Sequence, residues 1–168
     1  MSRLLGTLGV ASGEDLAAAR QKVLRVAELL GLDRPAQTRI ATAASEIARN
    51  AVHHAGGGEL ELAFDDADRP GRFVVTVRDR GPGIADLDAV LSGRHAFAPG
   101  HGAGLVNARR LVDEFDIASG PSGTTVTLAQ RGGRQAAAGV APASLQAIAQ
   151  VLHRRGSDAL AALREQDR

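Results

Sequence analysis

The spacing of apolar residues predicts two amphipathic helices near the start of the chain. The first begins at Ser12 or Gly13 and stops at Gly31. Its apolar stripe consists of Leu16, Val23, Ala27 and Leu30. The second begins after a cap at Asp33 and ends at the glycines of 56–58. Its stripe consists of Ile40, Ala44, Ile47 and Ala51. Each helix therefore has one apolar side, which must pack against another layer.

Alternating apolar and polar residues predict strands, most of them paired in hairpins. Segments 59–65 and 72–79 form one hairpin, and segments 115–119 and 123–130 form a second across the turn GPSG. A short first strand is expected at 3–10. Hairpins separated by helices predict an α+β fold, in which an antiparallel-rich sheet carries its helices on one face.

The segment between the two hairpins is less regular. Residues 80–104 contain many glycines and prolines, with one turn of helix expected near 86–91. A third helix follows, with apolar residues at Leu105, Ala108 and Val112. A loop of this length in a compact domain is usually functional or mobile. We therefore expect part of a binding site here.

The end of the chain differs in composition from the rest. Residues 1–130 are predicted to form one domain, and the glycine- and alanine-rich residues 131–141 a linker. Residues 142–168 predict a helical tail with a break at Gly156 and Ser157. This tail is either a docking helix pair or the start of a connector to further domains.

Composition narrows the classes of function. The chain has 20 basic and 19 acidic residues and a net charge of +1. It therefore lacks the large excess of positive charge that would favour binding to nucleic acid or to a membrane surface. Without Trp or Tyr it lacks the aromatic platforms of single-strand binders. The absence of cysteine excludes disulfides and thiolate metal sites. No apolar run reaches the ~20 residues of a membrane span. We expect a cytoplasmic protein that binds neither nucleic acid nor membrane.

Two polar residues on the second helix are candidates for chemistry. Glu46 and Asn50 are four residues apart, so they lie about 40° apart on the helix and border its apolar stripe. A carboxylate at the edge of a core can take a proton from a nucleophile. An amide oxygen is a hard ligand that suits Mg²⁺. The alternative is a solvated helix flank.

Three further segments carry candidate residues. Asp79 lies at the end of its strand, at a position whose side chain points to the same face as Val75 and Val77. Gly81 and Gly83 leave room for a flat ring to approach the backbone. The alternative for Asp79 is a tight turn in which it caps its own amides. The glycine-rich residues 99–105 run into a helix, where free N–H groups attract phosphate oxygens. They match neither the G-x-G-x-x-G nor the Walker pattern. Thr124 occupies a position in its strand from which the side chain points to the same face of the sheet as that of Asp79.

The adjacent histidines of the second helix carry less weight. His54 follows Asn50 by four residues, so it either lines the same pocket or makes a hydrogen bond at the helix end. His53 and His54 are not part of an H-E-x-x-H sequence, so a zinc site is not expected.

Taken in order, the motifs E-I-A-R-N, D-R-G-P-G, G-H-G-A-G-L and G-T-T resemble those of the GHKL ATP-binding superfamily. Within it, SEIARNAV, RDRGPGIADL and GHGAGLVNARRLVDEFDI are most similar to the RsbT-type serine/threonine switch kinases and anti-sigma regulators. The resemblance runs from Glu14 to Ala129 and does not cover the tail. It implies a Bergerat-type two-layer sandwich with a mixed, mostly antiparallel sheet.

The resemblance also implies a role for each matching residue. Glu46 would be the general base, and Asn50 would hold the Mg²⁺ that bridges the phosphates of ATP. Asp79 would accept a hydrogen bond from the exocyclic amine of adenine, with Gly83 allowing close approach and Thr124 contributing a hydroxyl. The glycine-rich amides would wrap the phosphates. The implied nucleotide-binding residues are Asn50, His54, Asp79, Gly81, Gly83, Ile84, Gly100, His101, Gly102, Ala103, Gly104, Leu105 and Thr124.

The activity implied by the resemblance is that of a Mg-ATP-dependent serine/threonine protein kinase of the bacterial partner-switching type. Its partner would be a STAS-domain antagonist or another component of a sigma/anti-sigma pathway, and a homodimer is left open. One rival is a non-catalytic ATP-binding domain of a larger histidine kinase or phosphatase, and another is an anti-sigma binding protein. Glu46 and Asn50 favour the enzyme, whereas the tail favours a domain of a larger protein. Arg154 after His153 argues against autonomous histidine kinase activity, which usually has an acidic residue there.

Overall fold

Five strands and five helices make up the part of the chain that the computed structural model describes, residues 2–67, 70–92, 103–132 and 140–154. The strands are β1 (Ser2–Val10), β2 (Gly58–Asp65), β3 (Arg72–Asp79), β4 (Glu114–Gly120) and β5 (Gly123–Arg131). The helices are α1 (Gly13–Leu29), α2 (Arg34–Ala55), α3 (Leu87–Leu91), α4 (Ala103–Leu111) and α5 (Pro142–His153). None of the helices in these ranges is long and apolar enough to cross a membrane.

Capping residues set the limits of the two long helices, as the sequence predicts. The Ser12 side chain accepts a hydrogen bond from the backbone of Asp15 at the start of α1. The Asp33 carboxylate accepts one from the backbone of Ala36 at the start of α2. At the other end of α2, Gly56 adopts the left-handed conformation with φ 73°. These caps give α2 the register that places Glu46 and Asn50 at the border of the core.

The strands form a single sheet in the order β1-β2-β3-β5-β4. All four pairings are antiparallel, so the described sheet contains no parallel pair, and both predicted hairpins are confirmed. Helices α1, α2 and α4 share one hydrophobic core with the inward residues of the central strands. Those inward residues are Leu60, Leu62, Phe64, Phe73, Val75, Val77, Val126 and Leu128. The predicted α+β sandwich with helices on one face is confirmed.

The other face of the sheet carries ion pairs between strands. Arg72 on β3 donates to Asp65 on β2 and to Glu114 on β4. Hydrogen bonds from Arg131 and Arg72 hold the pKa of Glu114 below its ordinary value. Charged residues therefore occupy this face, and the apolar core and its cavity lie on the helical side.

The first helix of the predicted tail, α5, packs against α1 and β1. Ile148 and Leu152 are buried there, and a Cβ on Gly6 would lie 2.7 Å from Leu152 Cδ1. Lys22 on α1 donates to the backbone carbonyl of Arg154 at 2.6 Å, and burial lowers the pKa of this lysine. This helix therefore adds to the core, and the division of the chain into domains at 130 stays a prediction.

The predicted linker and the rest of the tail are only partly covered by the structure. The sequence predicts that the linker begins at Arg131, but in the structure Arg131 is the last residue of β5. Residues 133–139 and the second helix expected after Gly156 lie outside the described residues. Helix α5 is thus the part of the tail whose packing is defined.

Replacing Ile148 with Ala should lower the free energy of unfolding by about 2–4 kcal/mol, because the side chain is 1% exposed and its removal leaves a cavity under α5. Urea denaturation followed by circular dichroism measures the change. Gln146→Ala, on the exposed side of the same helix, is the control and should change stability little. Equal stability of the Ile148 variant and the control would show that α5 does not dock.

Candidate functional site

A cavity of about 300 Å³ opens between α2, β3, β5 and α4. Its polar lining residues are Asn50, His54, Asp79 and Thr124. Its apolar lining residues are Ile47, Ala55, Val77, Pro82, Ile84, Val90, Leu105 and Val126, with Gly81 and Gly83 completing the wall. Mostly apolar walls with a few converging polar groups are typical of small-molecule sites. The structure thus brings eight of the predicted binding residues to one cavity: Asn50, His54, Asp79, Gly81, Gly83, Ile84, Leu105 and Thr124.

Asp79 lies at the end of β3 on the helical side of the sheet, as its strand parity predicts. Its Oδ1 accepts hydrogen bonds from the backbone N–H of Gly81 at 2.9 Å and of Thr124 at 3.3 Å. Within the described residues, no hydrogen bond reaches Oδ2. The carboxylate therefore caps its own turn with one oxygen and keeps the other available to a ligand donor.

The turn after β3 is packed so closely that only glycine fits at two places. Gly83 has φ +80°, and a Cβ there would collide with the carbonyl oxygen of Gly120. A Cβ on Gly81 would lie 2.7 Å from the Cβ of Ala55 at the end of α2. The sequence suggested that these glycines make room for a ring. The structure gives a further reason, which is that they hold the turn against α2 and the second hairpin.

A hydroxyl pair supports the Asp79 end of the cavity. Thr124 Oγ1 and Ser119 Oγ are 2.8 Å apart, and Ser119 Oγ also accepts from the backbone N–H of Ile84 at 2.8 Å. Ser119 is not among the site residues that the sequence predicts. Its pairing with Thr124 follows from the hairpin register, because Gly120 faces Gly123 at the turn. The turn sequence GPSG is the signal for this pairing.

The N-terminal turn of α4 lies over Glu46 and Asn50. A Cβ on Gly104 would be 3.0 Å from Glu46 Oε2 and 3.6 Å from both polar atoms of the Asn50 amide. A Cβ at this position would crowd the Glu46 carboxylate, so glycine favours the close approach of the helix to these side chains. Asn50 faces the cavity, whereas Glu46 lies beside it with 29% of its side chain exposed. The two predicted polar residues are therefore half-buried at a helix contact, and neither is part of a fully solvated flank.

The remaining predicted residues belong to the glycine-rich segment. Ala103 is the exposed first residue of α4, and the neighbouring Leu105 is buried and lines the cavity. Gly100, His101 and Gly102 lie outside the described residues, so their predicted contacts with phosphates stay predictions.

The side chains near the cavity restrict which metal they can hold. Among the described residues, no three His, Asp or Glu side chains form a group able to bind a metal ion. Mg²⁺ commonly takes one or two protein oxygens and completes its shell with water and substrate phosphates. The single amide oxygen of Asn50 beside an open cavity fits that manner of binding.

The apolar cavity and its carboxylate fit an adenine ring. The free Oδ2 of Asp79 can accept a hydrogen bond from an exocyclic amine, and the aliphatic side chains of Ile47 and Ile84 offer apolar contacts to a ring.

Comparison with known proteins shows the family to which the chain belongs. Residues 10–130 match the family described as the histidine kinase-like ATPase domain. Over 106 residues the chain is 41% identical to the serine/threonine-protein kinase RsbT of Bacillus subtilis (strain 168). The matched region covers 62% of this chain and 79% of RsbT. The crystal structure of the RsbU and RsbW domains of a Mycobacterium tuberculosis protein aligns with a TM-score of 0.54 at 25% identity. That alignment covers 75% of this chain and 32% of the longer one, so this chain spans about a third of it. The match over residues 10–130 and the similarity to RsbT show that the chain belongs to the histidine kinase-like ATPase domain family.

Proposed function

We propose that this chain is a Mg-ATP-dependent serine/threonine protein kinase of the partner-switching type. Its substrate is a hydroxyl on a STAS-domain antagonist or on another component of a sigma/anti-sigma pathway. The observation that carries the proposal is the close approach of Gly104 to Glu46 and Asn50, which places the start of α4 over a carboxylate and an amide next to the cavity. The 41% identity to a protein named as a serine/threonine kinase supports the same activity.

The apolar end of the cavity holds the adenine. Asp79 Oδ2 accepts a hydrogen bond from the exocyclic amine, while Oδ1 remains bound to the amides of Gly81 and Thr124. Those two bonds fix the carboxylate before the nucleotide arrives, so little side-chain entropy is lost on binding. Ile47 and Ile84 exclude water from the ring faces. This end of the site supplies affinity and selects adenine.

The polar end of the cavity holds the phosphates. Asn50 would hold Mg²⁺ through its amide oxygen. The backbone amides at the start of α4, from Ala103 to Leu105, would donate to phosphate oxygens, and those of Gly100 to Gly102 belong to the same proposal. His54 lines the same part of the wall. When held there, Mg²⁺ would supply positive charge that offsets the charge of the phosphates. The protein's own contribution at this end is to hold the terminal phosphate near Glu46.

Glu46 is the general base. A serine or threonine oxygen of the substrate forms a bond to the terminal phosphorus of ATP, the bond from that phosphorus to the leaving oxygen of ADP breaks, and the hydroxyl proton passes to Glu46. The carboxylate lies beside the cavity with 29% of its side chain exposed. A hydroxyl on a second protein can therefore reach it from the surface, which favours protein phosphorylation over a purely internal site.

A non-catalytic nucleotide-binding domain of a larger signalling protein is the second candidate. It is favoured by α5, which docks on the core although it lies beyond the residues 10–130 that match the family. Such a domain would bind Mg-ATP without transferring its phosphate.

Incubation with ATP labelled on its terminal phosphate, Mg²⁺ and a panel of STAS-domain proteins separates the two candidates. A kinase should place the label on an acceptor as a phosphoester that survives acid, which is the behaviour of phosphoserine and phosphothreonine. Label that stays on ATP with every acceptor, while calorimetry shows binding, would support the non-catalytic domain.

A further inference from the structure

Glu46 has two different sides on helix α2. On a helical wheel Asn50 lies about 40° from Glu46 in one direction, and Arg49 lies about 60° from it in the other. Asn50 lines the cavity. Because the nucleotide fills the Asn50 side in the proposed function, a protein hydroxyl that reaches Glu46 must come from the Arg49 side. The surface around Arg49 is therefore where the substrate approaches.

The contacts of Glu46 agree with this division. Its Oε2 faces Gly104, which belongs to the α4 turn above the cavity, and its Oε1 lies 3.4 Å from Arg49 Nη1. Arg49 has 53% of its side chain exposed, so more than half of this side chain is open to solvent. An ion pair this long and this exposed is weak. Arg49 can therefore turn from Glu46 to an anionic group of an incoming protein without a large loss.

The charge of this surface selects the kind of partner. Among the described residues, Glu46 is the one carboxylate within ion-pair distance of Arg49. His53 lies four residues after Arg49, is also exposed and adds a polar ring to the same side of α2. A basic partner segment would meet Arg49 with repulsion, whereas a carboxylate would complete a fork of two hydrogen bonds with its guanidinium.

We infer that Arg49 is a specificity-determining residue, which binds an Asp or Glu side chain of the protein substrate beside the hydroxyl that Glu46 deprotonates. The inference rests on the proposed function and adds to it the chemical class of the acceptor segment. Once a substrate carboxylate holds Arg49, the Glu46 oxygen that Arg49 had contacted is free to take the proton. Binding of the correct partner thus releases the base.

The test measures kcat and KM for an acceptor that the wild-type protein labels. Arg49→Glu should raise the KM for that acceptor at least about tenfold, because an attraction becomes a repulsion, with ATP affinity unchanged. Replacing the acidic residue nearest the labelled hydroxyl of the acceptor with Arg should restore the KM of the Glu variant. Arg49→Lys keeps the charge but loses the fork, so it should show an intermediate KM.

Arg25→Glu is the matched control, because Arg25 also forms an ion pair within one helix, with Glu28 three residues later on α1. It should leave the KM for the acceptor unchanged. An unchanged KM in Arg49→Glu, a loss confined to kcat, or an acceptor with no acidic residue near its labelled hydroxyl would each overturn the inference and leave the kinase proposal intact. A wild-type protein that binds ATP and labels no acceptor would overturn the kinase proposal itself, and this inference with it.

Discussion

Asp79→Asn should weaken Mg-ATP binding at least about 100-fold, measured by isothermal titration calorimetry. The Asn side chain keeps an oxygen for the backbone amides of Gly81 and Thr124, so the turn after β3 should stay folded. The group that replaces Oδ2 is an NH₂, which meets the exocyclic amine of adenine as donor against donor. A buried donor without an acceptor weakens nucleotide binding, because one hydrogen bond is lost and both donors are still removed from water.

The matched control is Asp116→Asn, because Asp116 is an exposed residue of β4 on the other face of the sheet. Its affinity for Mg-ATP should equal that of the wild type. Guanosine and adenosine nucleotides should also differ in affinity for the wild type, since guanine has a carbonyl where adenine has its amine. Unchanged Mg-ATP binding by Asp79→Asn would show that the adenine does not bind at this end of the cavity.

Glu46→Gln should bind Mg-ATP within about threefold of the wild type and transfer its phosphate at least about 100-fold more slowly. Gln has nearly the same size, so the close contact with Gly104 is kept, but its amide cannot accept a proton from a hydroxyl. The loss should appear in kcat, because the base acts in the transition state and contributes little to ground-state binding.

The control for this variant is Glu28→Gln, which also removes a carboxylate paired with an arginine three residues away. Its transfer rate should match that of the wild type. Transfer by Glu46→Gln at the wild-type rate would show that another group takes the proton, or that none is needed.

Much of the fold follows from local patterns, because the elements are stabilised by residues that are close in sequence. Ser12 and Asp33 cap their helices through amides three residues away, and Gly56 ends α2 by its own backbone conformation. Strand parity similarly places Asp79 and Thr124 on the helical side, since side chains alternate strictly between faces. These features needed no knowledge of distant contacts.

Other features depend on contacts between distant segments, which periodicity does not encode. The approach of Gly104 to Glu46 joins α4 to α2, and the packing of Leu152 over Gly6 joins α5 to β1. The sequence explains only part of the need for glycine at position 83, for the same reason. The backbone that a Cβ there would meet belongs to Gly120, in the second hairpin. Only the assembled core shows that these glycines are sites of close approach.

We propose that Glu46 and the cavity beside it transfer the terminal phosphate of ATP to a protein hydroxyl. A single-turnover reaction, with protein and acceptor in excess over labelled Mg-ATP, tests this claim most directly. The wild type should move the label to one serine or threonine of the acceptor as an acid-stable ester, and Glu46→Gln should leave it on ATP. Label that never leaves ATP with the wild type, or equal transfer by both proteins, would contradict the claim.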